Sequence, residues 1–150
     1  MTANSPRGRR RRRGVTTAET AVVLIPLLTF ILGIFEYSRY MMVRGLADNA
    51  CREGARFAVV HTYDKVTSDV QAQVTTMLAG QGGNLSGLAI TVYKASPTTG
   101  ANVGVWTDAK FGDTIAVTIT GTYTPCVPGL LRMSSTIPVS TTSAMLSEAN

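Results

Sequence analysis

Histidine, cysteine and charged residues are scarce in this sequence. Its 150 residues include one histidine and two cysteines, and only 15% of them are charged. A lone histidine, His61, is too few for a histidine-rich zinc site, and no serine–histidine–aspartate arrangement surrounds it in the sequence. The glycines at positions 80, 82 and 83 lack the lysine that follows a phosphate-binding loop. We therefore predict a protein that is not an enzyme, with no catalytic residues, metal, cofactor or small-molecule substrate.

The excess of positive charge lies at one end of the chain. The net charge is +5, and residues 1–14 contain six arginines and no acid. Fourteen basic residues less these six leave eight after Gly14, against nine acidic residues, so the remainder has a net charge of −1. A nucleic-acid partner is not expected, because the remainder has no excess of basic residues to bind phosphates.

A long apolar run with a single charge follows the arginines. From Val15 to Phe35 it has 21 residues; as a helix it would be about 31 Å long and would cross a hydrocarbon core of about 30 Å. Glu19 lies near the start of this run, where burial of a charge costs least. Pro26 is tolerated in a membrane helix because neighbours satisfy the freed carbonyl. Residues 15–35 are therefore predicted to span a membrane.

The arginines predict the orientation of this span. Basic residues beside a membrane helix stay on the cytoplasmic side, so residues 1–14 are predicted to be a cytoplasmic leader and residues 36–150 an extracytoplasmic domain. A cleaved secretory signal is an alternative for the head of the chain. The apolar run is followed by Glu36, Tyr37 and Ser38, without the small-x-small pattern of such a cleavage site.

The remaining residues predict a small α+β domain. Residues 36–60 contain no proline and are expected to continue the membrane helix, and valines at helical spacing predict a second helix over residues 65–79. Alternation of apolar residues with threonine predicts strands. We place them near residues 88–94, 113–123 and 136–145, with a loop over residues 101–110. The expected fold is a long N-terminal membrane-spanning helix that continues into a domain with a second helix and a roughly three-stranded antiparallel sheet.

The two cysteines, Cys51 and Cys126, would lie in an oxidising compartment under this topology. They either form a disulfide, which would close a long loop and stabilise the fold by about 2–4 kcal/mol, or remain as two free, buried thiols. The sequence leaves both alternatives open.

Three stretches within the first sixty residues carry a recognisable pattern. They are TAETAVVLIPLL at residues 17–28, GIFEYSR at residues 33–39 and ACREGARFA at residues 50–58. Together they resemble the TadE-like family, which are pseudopilin-like, single-span proteins of the Tad (tight adherence) machinery that builds Flp-type pili. The motif residues that this chain shares with the family are Pro26, Glu36, Tyr37, Arg39, Arg52, Glu53, Gly54 and Arg56.

The resemblance implies a processing site at Gly14, Val15 and Glu19. The spacing of Gly14 and Glu19 is similar to that in type IV prepilins, so a prepilin peptidase would cut between Gly14 and Val15. A glycine leaves the backbone unhindered at this position. Glu19 would then pair with the new N-terminal ammonium of a neighbouring subunit. The alternative is an acid at the membrane edge that the helix dipole favours.

The resemblance also implies a function. The chain would be a structural or assembly protein of a Tad-type pilus or secretion system in the cytoplasmic (inner) membrane, which either primes pilus assembly or joins the filament. Its implied partners are the lipid bilayer, the prepilin peptidase, other Tad pilins or pseudopilins and inner-membrane assembly proteins. The alternative is an uncleaved, membrane-anchored extracytoplasmic adhesion or binding module.

Overall fold

One helix of 51 residues forms the first part of the structure. The computed structural model of the protein describes residues 10–148, with side chains from Thr17 onward apart from that of Leu130. Helix α1 (Arg10–Val60) is about 76 Å long at 1.5 Å per residue. It passes through Pro26 without a break in secondary structure. The expected long helix that continues into the domain is therefore present.

Four strands form one antiparallel sheet in the order β2-β1-β3-β4. Strand β3 is central and pairs along its whole length with β4. Together with α1 and a second helix, the sheet confirms the expected α+β fold. The strands are β1 (Leu85–Ala95), β2 (Asn102–Gly104), β3 (Thr114–Tyr123) and β4 (Ile137–Leu146).

The sheet has one strand more than the roughly three expected. Strand β2 lies within residues 101–110, which the sequence predicts to be a loop; its three residues are too few to show the alternation that identifies a strand. Strand β1 begins before the predicted residue 88. The pairing with β3 shifts between Ser86 and Ala89, and Gly87 there has a φ of +64°. Such a bulge interrupts the alternation of side chains and hides the start of the strand.

The core lies between the sheet and the second half of α1. On β3, Ile115, Val117 and Ile119 are fully buried. The residues that alternate with them, Ala116 and Thr118, face the other side of the sheet. The side of α1 that faces the sheet carries small side chains, which let the helix backbone come close to the strands. These fully buried residues are Ala47, Ala50, Cys51, Ala55 and Ala58.

Helix α2 (Thr67–Met77) completes the core beside α1 and β1. Val70 and Val74 point into the core and are fully buried. Trp106 is also fully buried, and its indole N–H donates a hydrogen bond of 2.9 Å to the hydroxyl of the first residue of α2. The second half of α1 and α2 therefore cover the same face of the sheet.

Candidate functional site

The first half of α1 is apolar and uncovered. The helical segment Thr17–Val60 contains an apolar stretch long enough to cross a membrane, and none of that stretch is buried. Val22, Phe30 and Phe35 are each at least 70% exposed. Within the described residues this is the one helix that is long and apolar enough to cross a membrane. A core helix of a soluble domain would instead have this surface buried.

The predicted processing residues lie at the start of this helix. Gly14 and Val15 have helical backbone, and the side chain of Glu19 is exposed. The first part of the predicted leader, residues 1–9, lies outside the described residues. Glu19 is therefore on the surface of the uncovered half of α1.

Glu36 is enclosed where α1 enters the domain. It is only 5% exposed. Its carboxylate accepts hydrogen bonds from the Tyr123 hydroxyl and from the backbone N–H of Cys126, the latter at 3.0 Å. A buried carboxylate without such donors would be strongly unfavourable. Since Tyr123 is the last residue of β3, Glu36 attaches the end of that strand to the helix.

Arg39, about one turn further along α1, adds a second set of contacts. Its guanidinium donates to Asn84 Oδ1 at 2.7 Å and to Cys126 Sγ, and lies 5.6 Å from the centroid of the Tyr123 ring. Tyr40 packs edge-on against the same ring, with the centroids 5.5 Å apart. These residues form what we term the junction cluster: Glu36, Arg39, Tyr40, Asn84, Tyr123 and Cys126.

The phenol of Tyr123 is fully buried within the junction cluster. Burial, together with the hydrogen bond to the Glu36 carboxylate, raises the pKa of Tyr123 to about 12. The phenol therefore stays protonated at neutral pH and continues to donate to Glu36. The junction cluster is a structural joint between helix and sheet at neutral pH.

The second motif segment, residues 52–56, packs against α2 through its middle. Gly54 is buried, and a Cβ at this position would overlap Val74 Cγ2. Arg52 and Arg56 are exposed, and Glu53 is half-buried. The glycine therefore allows close contact between the helices while both arginines face solvent.

Two other motif residues lie outside the core. Pro26 is exposed on the uncovered half of α1, and Tyr37 is 64% exposed beside the junction cluster. The structure therefore divides the motif residues into three groups. Glu36 and Arg39 hold the junction, Gly54 packs against α2, and the rest lie wholly or partly at the surface.

The two cysteines are free, and the predicted disulfide alternative is wrong for this fold. Cys51 is buried, and its thiol donates to the Val117 carbonyl at 2.9 Å. Cys126 is exposed and lies beside Glu36, which precedes Cys51 by fifteen residues of helix, about 22 Å. A disulfide needs Cα atoms within about 7 Å. The alternative of two buried thiols is correct for Cys51 and wrong for Cys126.

Three members of the junction cluster are absent from the sequence prediction. They are Tyr40, Asn84 and Tyr123. Asn84 ends a 3₁₀ turn and Tyr123 ends a strand, and neither position carries a motif. They meet Arg39 because β1 starts opposite the end of β3. This neighbourhood depends on sheet register, which no local pattern reveals.

The charged groups of the domain form no metal site among the described residues. There, no group of three or more His, Cys, Asp or Glu could hold an ion. Lys94 and Asp113 form an ion pair of 2.6 Å, and the hydrogen bond from Lys94 lowers the pKa of the Asp113 carboxyl. This pair ties the distal end of β1 to the residue before β3.

The fold and the junction define a class of protein: an α+β domain carried on a long helix whose first half is apolar and uncovered. Residues 14–56 match the family described as TadE-like protein, which confirms the resemblance noted in the sequence. No curated protein and no solved structure matches the chain. The match and the apolar helix near the N-terminus fit a pilin-like protein of the Tad type that is anchored to a membrane.

Proposed function

We propose that this protein is a single-pass, pilin-like structural or assembly protein of a Tad-type pilus or secretion system. The observation that carries the proposal is that the TadE-like match, residues 14–56, includes a helix whose apolar side chains are uncovered. Such a surface requires lipid or other apolar helices around it. The protein sits in the cytoplasmic membrane, with its N-terminus in the cytoplasm and residues 36–150 outside.

In this proposal a prepilin peptidase removes the arginine-rich leader between Gly14 and Val15. The bond lies in helical backbone, so the peptidase unwinds it locally before cleavage. A glycine in a helix lowers the cost of unwinding by about 1 kcal/mol relative to alanine. Glu19 then becomes the fifth residue, and its carboxylate pairs with the N-terminal ammonium of a neighbouring subunit, so that each charge in the membrane has a partner.

Lateral association of the uncovered helices brings the subunits together in the membrane. The partners are other Tad pilins or pseudopilins, together with inner-membrane assembly proteins. Because the junction cluster fixes the end of β3 to α1, the domain is held in one orientation relative to its membrane helix. In this way the protein either primes pilus assembly or joins the filament.

The test is the intact mass and N-terminal residue of the full chain extracted from membranes, in strains with and without the prepilin peptidase. We expect a chain that starts at Val15 where the peptidase is present and a full-length chain where it is absent. Full-length chain in both strains would contradict processing. That result would favour the alternative, an uncleaved, membrane-anchored adhesion or binding module.

Matched variants separate processing from assembly. Gly14→Val should abolish cleavage, whereas Gly45→Val, where an added Cβ has no atom within 4 Å, should be cleaved normally. Glu19→Gln should be cleaved but should fail to crosslink to neighbouring subunits. If Glu19→Gln assembles like the wild type, the role assigned to Glu19 is wrong.

A further inference from the structure

The connection between β3 and β4 reaches toward the uncovered half of α1. We term this connection, residues 124–136, the tip loop; it contains α3 (Pro128–Leu131), a single helical turn. The turn ends at Arg132, which has a left-handed backbone with φ +51° and whose N–H donates to the Pro128 carbonyl. Leu131 is therefore the last residue of the helical turn, within the tip loop.

Leu131 shows how far the tip loop extends along α1. A Cβ placed on Gly33 would lie 3.6 Å from Leu131 Cδ2, an ordinary van der Waals distance. Gly33 precedes Glu36 by three residues, about 4.5 Å along the helix toward the N-terminus. The tip loop starts at the junction cluster, where Cys126 bonds Glu36. It then passes beyond the cluster to the level of the apolar segment.

The composition of the tip loop is that of a segment at a membrane surface. Residues 124–131 carry no charge, and Met133 is 41% exposed. Arg132 is exposed between Leu131 and Met133. A long cationic side chain can reach the headgroups while its apolar neighbours enter the hydrocarbon edge. Tyr37 is exposed close to this level of α1, and tyrosine is enriched at membrane interfaces.

We propose that the tip loop is a second membrane contact, which enters the outer leaflet of the bilayer that α1 crosses. The inference rests on the proposed membrane span. If that span ends at Phe35, its boundary lies about 3 Å beyond Gly33, so Leu131 and Met133 meet the edge of the hydrocarbon. Arg132 contacts lipid phosphates. The occupant is lipid because the neighbouring residues of α1 are themselves surrounded by lipid.

A second membrane contact restricts the rotation and tilt of the domain relative to the bilayer. A single helix leaves the domain free to rotate about the helix axis and to tilt with it. The tip loop lies beside that axis, and the junction cluster binds both the loop and α1. With α1 and the tip loop both in the bilayer, the domain has one preferred rotation, and the same side of the sheet faces neighbouring subunits in every copy.

The experiment measures fluorescence quenching of the full chain in vesicles of phosphatidylcholine and phosphatidylglycerol whose acyl chains carry bromine near the headgroup or near the terminal methyl. Leu131→Trp reports on the tip loop. Phe30→Trp, at a side chain 74% exposed on α1, reports on the span. Phe111→Trp, at a side chain 72% exposed at the opposite end of the domain, is the matched control. The native Trp106 is fully buried and supplies the common background.

We expect Leu131→Trp to be quenched about twofold or more beyond Phe111→Trp, and most strongly by bromine near the headgroup. Met133→Trp should give the same result and serves if Leu131→Trp does not fold. Quenching of Phe30→Trp with no excess for either loop variant overturns the tip-loop contact and leaves the span intact. Absence of quenching for Phe30→Trp overturns the membrane span and this inference with it.

Discussion

Gly54 sets the distance between the two helices of the domain. A methyl group at this position would overlap Val74 Cγ2, and Val74 is fully buried in the core. We predict that Gly54→Ala lowers the free energy of unfolding by about 1–3 kcal/mol, because overpacking a core forces side chains out of their preferred rotamers. Denaturant unfolding of the full chain in detergent, followed by the fluorescence of Trp106, measures this change.

Gly45 is the matched control for this prediction. It lies on the same helix, and an added Cβ meets no atom within 4 Å. Gly45→Ala should therefore keep or raise stability, by up to about 1 kcal/mol, because alanine has the higher helix propensity. Equal stability of the two variants would show that α2 does not pack against Gly54 as closely as the structure has it.

Tyr123 is the centre of the junction cluster. We predict that Tyr123→Phe lowers the free energy of unfolding by about 1–3 kcal/mol, since it removes one of two donors to the buried Glu36 carboxylate. Tyr93→Phe is the control, because the hydroxyl contacts of Tyr93 are long, at 3.4 Å. A loss no larger than that of the control would contradict a structural role for the Glu36 bond.

The pKa of Tyr123 adds a pH dependence to the same prediction. In the unfolded chain a tyrosine ionises near pH 10, whereas burial raises the pKa of Tyr123 to about 12 in the folded state. The unfolded state therefore loses its proton first, and the stability that Tyr123 contributes is fully present below about pH 10 and is lost between about pH 10 and 12. Stability measured across this range should fall less steeply in Tyr123→Phe than in Tyr93→Phe.

At the scale of single elements, α1 serves two environments in succession. Its first half is apolar and uncovered, while its second half contacts the sheet through small residues that are fully buried. Glu36 stands at the transition between the two. The central strand β3 packs against the second half of α1, with Ile115, Val117 and Ile119 in the core and Tyr123 bonded to Glu36 at its end.

The reactivity of the two cysteine thiols tests the positions of α1, the sheet and the tip loop. Cys126 is exposed, and Cys51 is buried between α1 and the sheet, where burial raises the pKa of its thiol. Because the thiolate is the reactive form, we predict one fast-reacting thiol per folded chain toward a maleimide and two after unfolding. Mass spectrometry counts the added labels.

The serine variants of the cysteines are the controls. Cys126→Ser should leave no fast thiol, and Cys51→Ser should leave one. Recovery of a chain that takes no label until a reductant is added would show that the cysteines are oxidised and would contradict the free thiols of this fold.

At the scale of the whole molecule, charged and apolar residues are separated along the sequence. Residues 1–14 with their six arginines, the apolar run and a region of nearly balanced charge follow one another. We predict that a C-terminal alkaline phosphatase fusion, which is active only outside the cytoplasm, is active, and that a C-terminal fusion requiring the cytoplasm is not. The reason is that basic residues beside a membrane helix are retained on the cytoplasmic side.

The arginines supply the control for this orientation. Replacing the six arginines of residues 1–14 by glutamine should reduce phosphatase activity and raise the cytoplasmic signal. Replacing Arg52 and Arg56, which are exposed on the domain, should change neither. Phosphatase activity that is insensitive to the leader arginines would mean that another feature orients the chain.

Much of the fold could be predicted because its signals are local. The apolar run, the absence of proline from residues 27–60 and the alternation along β3 are properties of near neighbours in the chain, and they predict helix and strand directly. Strand β2 could not be found this way, since three residues carry no period. The start of β1 was hidden by the bulge at Gly87, where the alternation is interrupted.

The sequence by itself determined the apolar span, the long helix, the α+β class and the TadE-like resemblance of the N-terminal third, since periodicity, charge and motif spacing are written along the chain. Tertiary structure alone decided that Cys51 and Cys126 stay apart, that Glu36 bonds Tyr123 and that Leu131 reaches Gly33. Each of these outcomes concerns a pair of residues 75 to 98 positions apart in the sequence. Such contacts follow from the register of the sheet and the angle of α1, which depend on how the whole core packs.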